Sequence, residues 1–558
     1  MTTANKKNER EITMLAAVSL LAIQLVAFAI VSPQLGYSID KWNYLTRIRR
    51  VSEINPFYVE TNRQFQVWGI TLADQFFPDR FQGHYYVHLL TLFGISFAYF
   101  CLLQRLFPKY VWFNYLCAAL TIIYLPSNAT AIMSWVALYS LPIFFSLVAA
   151  NFFLAFTTGE RRIWALGLAC VCAYLAARMH EGGLPLIALM PFTAIYIKRQ
   201  LNRRIVIGSI LWWAVVAICG MMVVLPYLRQ DAVSEYQRRI MSPATFSKDD
   251  LPRNLQLYEE AAFPLSKSET TYLSYKMPAF FLACIFLFTC WLMYRRFPEH
   301  FVLPSISFLV GLLITAVILT TIGGLLFYIT GTYALERGLM FTQYLQATVL
   351  ASTVVLLARG IHYIMQVRLR WSLAGVLLIV FVVGSQWVYD AQQNVIARGW
   401  GPFNNNEMIF WKTMLAIFPD VKDDTLFIAK DCYSYPGFSS FYHMDAAHIY
   451  EYLRGSGVQM RDNEAGWNPD INSTPEGIQT HGSYYGHVIS PEQLFFDQMY
   501  PYENMIVFEC QGTMINILTT FALGDGYNID NEVVSTYNPY ARVEQGFIPE
   551  ERETLVYR

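Results

Sequence analysis

The sequence is poor in charged residues, and this separates it from an ordinary soluble protein. Only 15% of its 558 residues are charged, whereas 55% are hydrophobic, and the mean hydropathy is +0.33. Soluble domains are about a quarter charged. The net charge of −1 favours no charged macromolecule, and we expect no nucleic acid among the partners. The composition predicts a membrane protein with some soluble mass attached.

Cysteine is scarce outside the apolar stretches. Seven of the nine cysteines fall in hydrophobic segments, where a thiol usually serves as a small buried hydrophobe. Cys432 and Cys510 lie in the polar C-terminal part, and they could form a disulfide if that part is extracytoplasmic. This part also lacks a nucleophile elbow, a phosphate loop and a metal-spaced cluster. We therefore expect it to support the protein or to guide an acceptor.

The N-terminus predicts a retained membrane anchor. Lys6, Lys7 and Arg10 precede a long apolar run. The run is longer than the roughly 7–15 residues of a signal-peptide core, and no small-residue cleavage site follows it. We expect the N-terminus to be cytoplasmic and the first helix to stay in the chain.

The apolar runs predict a polytopic helix bundle, because a spanning helix needs roughly 20 apolar residues. Eleven segments reach or approach that length: 12–31, 85–104, 110–125, 135–156, 163–177, 184–197, 205–226, 277–294, 301–329, 340–358 and 371–389. The segment 301–329 is too long for an untilted span, and Gly323-Gly324 is a place where it could break or re-enter.

Positive charge marks alternate connections between these segments. Every connection assigned to the cytoplasm has at least two Lys or Arg, whereas the opposite turn 126–134 has none. By the positive-inside rule, the loops 32–84 and 227–276 and the tail 390–558 are outside. Residues 1–389 then form the transmembrane module. The first outer loop has an amphipathic pattern typical of interfacial helices.

The tail, 390–558, has a soluble composition. Strands are predicted at 425–429, 505–509 and 554–557, with a helix start at Ser490-Pro491. This alternation predicts a small α/β extracytoplasmic domain. The stretch 463–485 is rich in Gly, Asn, Pro and Ser, and it predicts a long loop.

Two outer turns break the charge rule. The first is 178–183, which contains Arg178, His180 and Glu181. The second is 333–338, which contains Tyr333 and Arg337. The first joins two short apolar runs that each span roughly 22 Å, less than the bilayer core of roughly 30 Å. That turn should therefore lie below the outer surface, where ionisable groups usually mark a functional site. The alternative is an Arg178–Glu181 pair that only closes a hairpin.

An acidic turn follows the first helix. Asp40, Lys41 and Trp42 lie together at the predicted exit from the membrane. Trp42 is suited either to stacking on a sugar or lipid or to anchoring in the interface. His84 and His88 are expected to face neighbouring helices.

The order and sidedness of these features resemble the C-type glycosyltransferases (GT-C), which include protein O-mannosyltransferases, oligosaccharyltransferase catalytic subunits and aminoarabinose transferases. The resemblance covers roughly residues 10–360. It rests on Asp40 soon after the first helix, 85–90 leading into 103–107, Leu125-Pro126 followed by Ser134-Trp135, 178–183 before Pro185, and Glu336-Arg337 before the tenth helix.

The resemblance implies transfer of a sugar from a polyprenyl-phosphate donor to an envelope glycan, lipid or protein at the outer face. Asp40 would be the general base. The donor phosphate would be contacted by cations. The residues expected in donor or substrate binding are Lys41, Trp42, Arg178, His180, Glu181, Tyr333 and Arg337.

Several alternatives stay open. Lys41 stands where many relatives have a second acid, which argues against a two-carboxylate metal site, although a divalent metal is not excluded. His180 could contact phosphate, bind a metal or serve as a structural hydrogen-bonding group. The competing functions are a polytopic transporter and a non-catalytic scaffold of an envelope assembly complex.

Overall fold

The computed structural model describes the helical part of the chain and a set of strands. The described residues are 3–28, 65, 81–124, 140–180, 187–188, 190–198, 202–229, 276–300, 302–329, 342–395, 426–430, 470–474, 477–481, 498–501, 505–511, 514–518, 520–522, 533–535 and 554–556.

The chain divides into two compact units. The helical unit comprises Met1–Pro33, Asn62–Asp231 and Arg239–Val395. The strand unit comprises Gln34–Thr61, Ala232–Arg238 and Ile396–Arg558. All strands of the described residues belong to the second unit.

Within the described residues, a helix overlaps each of the eleven predicted apolar segments. The α-helices are α1 (Thr3–Phe28), α2 (Phe81–Leu106), α3 (Val111–Ile123), α4 (Leu141–Thr157), α5 (Ile163–Met179), α6 (Met190–Lys198), α7 (Arg203–Arg229), α8 (Lys276–Arg296), α9 (Ile306–Ile329), α10 (Gln343–Met365) and α11 (Leu369–Val395). A 3₁₀ turn, Pro298–His300, follows α8. Helix α9 runs unbroken through Gly323 and Gly324, so the glycine pair does not end it.

The helices have the length and composition of a multi-pass membrane protein. Among the described residues, 4 helices are long and apolar enough to cross a membrane: Asn8–Phe28, Tyr86–Leu106, Arg203–Met222 and Gln343–Met365. Shorter apolar helices, including Val111–Ile123 and Ile163–Met179, accompany them. A total of eleven crossings remains a prediction.

Helix α3 lies at the centre of the helical unit. All 13 of its residues are buried, and it packs against α1, α2, α8, α10 and α11. Hydroxyl groups join it to its neighbours: Tyr115 is hydrogen-bonded to Ser19 of α1, and Thr289 of α8 donates to the Ser19 hydroxyl at 2.8 Å. Such bonds help to fix helices in apolar surroundings, where hydrophobic burial drives association weakly.

Ion pairs connect helix ends that the charge pattern assigns to one side. Arg105, near the end of α2, pairs with Glu160, which follows α4. Arg296, at the end of α8, lies 3.5 Å from Glu11 in α1.

Hydrogen bonds to the segment before α9 place two more helix ends on this side. The indole N–H of Trp112, at the start of α3, donates to the carbonyl of Val302 at 3.0 Å. The guanidinium of Arg359, towards the end of α10, donates to the carbonyl of Pro304. We call this side the cationic end, and its cations are Arg105, Lys109, Arg161, Arg162, Arg203, Arg204, Arg295, Arg296, Arg359, Arg368 and Arg370.

The other helix termini meet at what we call the opposite end. Gln343, at the start of α10, donates to the carbonyl of Thr121 near the end of α3. His88, near the start of α2, is fully buried, and its Nδ1 lies 3.3 Å from the Ser140 hydroxyl before α4. The expectation that His88 faces a neighbouring helix is confirmed. These contacts show which ends share a side, whereas assigning the cationic end to the cytoplasm rests on the positive-inside rule.

The strand unit contains three small sheets. Its strands are β1 (Leu426–Lys430), β2 (Asp470–Thr474), β3 (Gly477–His481), β4 (Gln498–Pro501), β5 (Met505–Gln511), β6 (Met514–Leu518), β7 (Thr520–Ala522), β8 (Val533–Ser535) and β9 (Thr554–Val556). The sheet orders are β1-β5-β6-β9, β2-β3-β4 and β7-β8. Only the β1–β5 pair is parallel among the described pairs.

Three of these strands, β1, β5 and β9, lie where the sequence predicts strands. The parallel β1–β5 pair needs a crossover, which in many proteins is a helix. The helix start at Ser490-Pro491 lies outside the described residues, so the α/β class of this unit remains a prediction.

The prediction of a continuous loop over 463–485 is wrong. Strands β2 and β3 form an antiparallel pair there, with Asp470 opposite His481 and Thr474 opposite Gly477. Polar strands of this kind lack the hydrophobic alternation that identifies a strand in sequence. Such strands are held by hydrogen bonds from the partner strand. Because this pairing cannot be seen in the composition of one segment, the polar composition alone favours a loop.

Candidate functional site

The structure describes the side chains of two predicted site residues, Arg178 and His180. Cys510 lies in β5, opposite Ile515 in the register. The remaining predicted residues lie outside the described residues: Asp40, Lys41, Trp42, Glu181, Tyr333, Arg337 and Cys432. The disulfide between Cys432 and Cys510 therefore stays a prediction.

Arg178 and His180 lie at the point where α5 ends. The helix runs from Ile163 to Met179, and the backbone of His180 turns extended, with φ −161° and ψ 130°. The N–H of His180 still donates to the carbonyl of Ala176 at 3.1 Å. Arg178 thus occupies the last helical turn, where the carbonyl ends of the helix favour a cation.

Both side chains are buried within the helical unit. Arg178 is 8% exposed and His180 is 6% exposed. Helix α5 is a 17-residue helix, which spans only about 26 Å. A charged group at such a terminus, turned inward from lipid, is the arrangement that membrane proteins use for internal polar sites.

Burial distinguishes Arg178 from the arginines and the lysine of the cationic end. Those at the cationic end are exposed or half-buried, as expected for residues that reach towards water and headgroups. Among the residues whose burial is described, Arg178 is the only buried Lys or Arg. It also lies at the opposite end, because α5 begins beside the cationic Arg161 and Arg162. Arg178 therefore does not serve as a positive-inside residue.

Phe65, which lies in the predicted loop 32–84, contacts the helix that carries Arg178. The rings of Phe65 and Tyr174 lie nearly perpendicular, with 6.1 Å between their centroids. Tyr174 precedes Arg178 by four residues, so the two share a helix face, one turn apart. The contact places Phe65 at the side of α5, about one turn before Arg178.

Helix α7 borders the site from a second direction. The guanidinium of Arg178 lies within electrostatic range of the Cys219 thiol in α7. Helix α5 packs on α4 and α7, and its buried residues include Ala169, Ala173 and Ala176. Small side chains let neighbouring helices approach α5 closely along this face.

Two tryptophans of α7 fix the chain that returns from the site. The indole N–H of Trp212 donates to the carbonyl of Ile187 at 2.7 Å, and that of Trp213 donates to Ala188 at 3.1 Å. The Ile187 carbonyl would normally accept from residue 191 in a helix, but Pro191 has no N–H. Trp212 replaces that missing donor, as apolar surroundings require.

The described residues offer anion chemistry and no metal-binding cluster. No group of three His, Cys, Asp or Glu with metal-binding geometry occurs among them. A buried guanidinium suits phosphate or carboxylate, because Arg can make two parallel hydrogen bonds to either anion. The three readings of His180 remain open at this position.

The sequence does not identify Phe65 and Cys219 as residues near Arg178, or Trp212 as the donor to Ile187. Each is an apolar or aromatic residue in a chain rich in them, and only the folded chain places it near α5. One signal was available for Trp212, since Pro191 within an apolar segment requires a substitute donor.

No protein-family model matches this chain, and no curated protein sequence matches it.

Proposed function

We propose that this protein is a membrane glycosyltransferase of the GT-C type, which transfers a sugar from a polyprenyl-phosphate donor. The acceptor is an envelope glycan, lipid or protein at the outer face. The observation that supports this proposal is the burial of Arg178 at the opposite end, in the helix terminus that also holds the buried His180. With eleven crossings, this end faces the outside, and residues 390–558 form an extracytoplasmic α/β domain.

The chemistry assigned to Arg178 is stabilisation of the leaving phosphate. In the proposed reaction the acceptor oxygen attacks the anomeric carbon, and the bond from this carbon to the phosphate oxygen breaks. The bonding electrons leave with polyprenyl phosphate, which gains negative charge. A preorganised guanidinium in a water-poor site is most effective against charge that develops in this way. Arg337 and Lys41 are proposed to add further contacts to the phosphate.

Asp40 is proposed as the general base that takes the proton of the acceptor hydroxyl. Its place soon after the first membrane segment supports this role, through the resemblance stated above. General-base catalysis typically contributes about 10²–10⁴-fold to a rate. Trp42, Tyr333 and Glu181 are proposed to contact or orient the substrate.

The experiment measures sugar transfer in proteoliposomes from a radiolabelled polyprenyl-phosphate sugar to an envelope extract. Asp40→Asn should lower turnover by about 10²–10⁴-fold while the donor still binds. Arg178→Gln should lower turnover about 10²-fold or more, because it removes one electrostatic contact to the leaving group. Arg178→Lys should recover part of the loss.

The matched control is Arg162→Gln, which removes an exposed arginine from the start of the same helix. It should transfer sugar at the wild-type rate. Full activity in both Asp40→Asn and Arg178→Gln, at normal expression, would refute the assignment. Solute flux that needs no donor would favour a transporter, and donor binding without turnover in the wild type would favour a scaffold.

A further inference from the structure

The α10–α11 hairpin at the cationic end carries a surface that the proposed transferase reaction does not use. Helix α10 ends at Met365, and Gln366 follows in the left-handed region with φ 54°. The Nδ1–H of His362 donates to the carbonyl of Val367 at 2.6 Å, which closes the turn. Helix α11 begins at Leu369, so the turn is short and well defined.

The hairpin is positively charged, and its own residues include no carboxylate. Arg359, Arg368 and Arg370 flank the turn, and residues 343–389 contain no Asp or Glu. None of the three arginines forms an ion pair with a carboxylate of the described residues. By contrast, Arg105 and Arg296 at the same end are paired with Glu160 and Glu11.

The same turn exposes a group of large apolar side chains. Tyr363 is 86% exposed, Ile364 80%, and Trp371 63%. Met365 is also exposed. Four large apolar residues at one turn form a patch of the kind that soluble surfaces avoid, and such patches mark binding surfaces.

Geometry places these apolar groups at the level of the membrane interface. Arg359 is fixed to Pro304, in the connection that precedes α9. Met365 lies six residues further along α10, which is about 9 Å of helix. Arg370 lies over the ring of Trp371, with 5.7 Å to the centroid, so the cation and the aromatic ring form one unit. Tryptophan, tyrosine and arginine at this depth are the groups that contact lipid headgroups.

We infer that the α10–α11 hairpin is a binding site for an anionic phospholipid in the leaflet at the cationic end. Arg368 and Arg370 contact the headgroup phosphate, and Tyr363, Ile364 and Trp371 contact the glycerol and upper acyl region. An anionic lipid is a better partner for this patch than a soluble protein. The patch combines arginines, in a hairpin that has no carboxylate of its own, with an apolar surface that already lies at the edge of the bilayer. The inference is independent of the proposed transferase activity.

The test compares two lipids on the full chain in detergent. The wild type is mixed with equimolar phosphatidylglycerol and phosphatidylcholine, and bound lipid is counted by native mass spectrometry. Each arginine near an anionic surface is worth about 1 kcal/mol, or roughly fivefold. The variant Arg368→Gln/Arg370→Gln should therefore lose about thirtyfold of the wild-type preference for phosphatidylglycerol.

The control variant is Arg161→Gln/Arg162→Gln, which also removes two exposed arginines beside a tryptophan at the cationic end. That connection also holds the ion pair of Glu160 with Arg105, so an acidic group lies within it, whereas the α10–α11 hairpin has none. The control should keep at least most of the wild-type preference. An equal loss in both variants would overturn the site, because it would show a general response to net charge.

The wild type alone also tests the inference. Its preference for phosphatidylglycerol should weaken as salt is raised, since exposed charges are screened over about 8 Å at physiological ionic strength. A wild type with no preference for the anionic lipid would overturn the inference. The inference would also be overturned if the patch bound a soluble protein and the two lipids bound equally well.

Discussion

The crossing of α11 over α3 at the opposite end provides a direct test of the helix packing. A methyl group at Gly384 would lie 2.2 Å from Cγ2 of Ile123, far inside van der Waals contact. Ile123 is fully buried, and a β-branched side chain in a helix has one strongly preferred rotamer. The isoleucine therefore cannot turn aside easily, and Gly384→Ala should push α3 and α11 apart.

The size of the effect follows from two opposing contributions. Inserting a methyl group into a well-packed interior costs about 1–3 kcal/mol, whereas replacing a helical glycine by alanine gains about 0.5–1 kcal/mol. Gly384→Ala should therefore lower the free energy of unfolding by about 1–2 kcal/mol. Gly375 on the same helix has no neighbouring atom within 4 Å of such a methyl group, so Gly375→Ala should show only the gain.

The assay is reversible denaturation of the full chain in mixed micelles titrated with sodium dodecyl sulfate, followed by helical circular dichroism. A third variant isolates the contact, since Ile123→Ala removes the atom that the new methyl group meets. In the Ile123→Ala background, Gly384→Ala should become neutral or stabilising. Equal stability of Gly384→Ala and Gly375→Ala in the wild-type background would refute this account of the crossing.

Three further predictions concern bonds between helices. Trp212→Phe should lower the free energy of unfolding by about 1–3 kcal/mol, because it leaves the Ile187 carbonyl unsatisfied. Trp213→Phe should lower it less, since that bond is exposed. Equal losses for the two variants in the same titration would contradict this. Tyr115→Phe should cost only about 0.6 kcal/mol, because its ring stacking on Phe286 survives; a loss several times larger would contradict it. Glu160→Gln should cost under about 1 kcal/mol, and the cost should shrink in salt, because exposed ion pairs contribute little.

Much of the helical architecture is predictable from the sequence, because the signal is local. Each apolar run overlaps a helix, since a lipid-facing segment must satisfy its backbone hydrogen bonds internally. The alternation of cations then predicts which helix ends share a side, and the Arg105–Glu160 and Arg296–Glu11 pairs agree with it. The strand at 505–509 is also predictable from a local signal, because residues 505–508 form a continuous apolar run.

The candidate site is only partly predictable. Arg178 and His180 stand out because a charge at an outer turn breaks the positive-inside pattern. Their burial does not follow from that pattern, since the alternative of a charged surface hairpin has the same sequence. Phe65 and Cys219 have no distinguishing signal at all, because each lies far from Arg178 in the chain.

The sequence by itself determined where the helices lie, which of their ends share a side, and that Arg178 is out of place there. Tertiary structure alone decided that α3 is buried on all sides, that Arg178 points inward, and that Trp212 bonds to Ile187. The physical reason is that these helices are apolar around most of their circumference, so no amphipathic face shows which side meets lipid. Rotation about the helix axis is set by close contacts such as that of Gly384 with Ile123, and those exist only once the helices have packed.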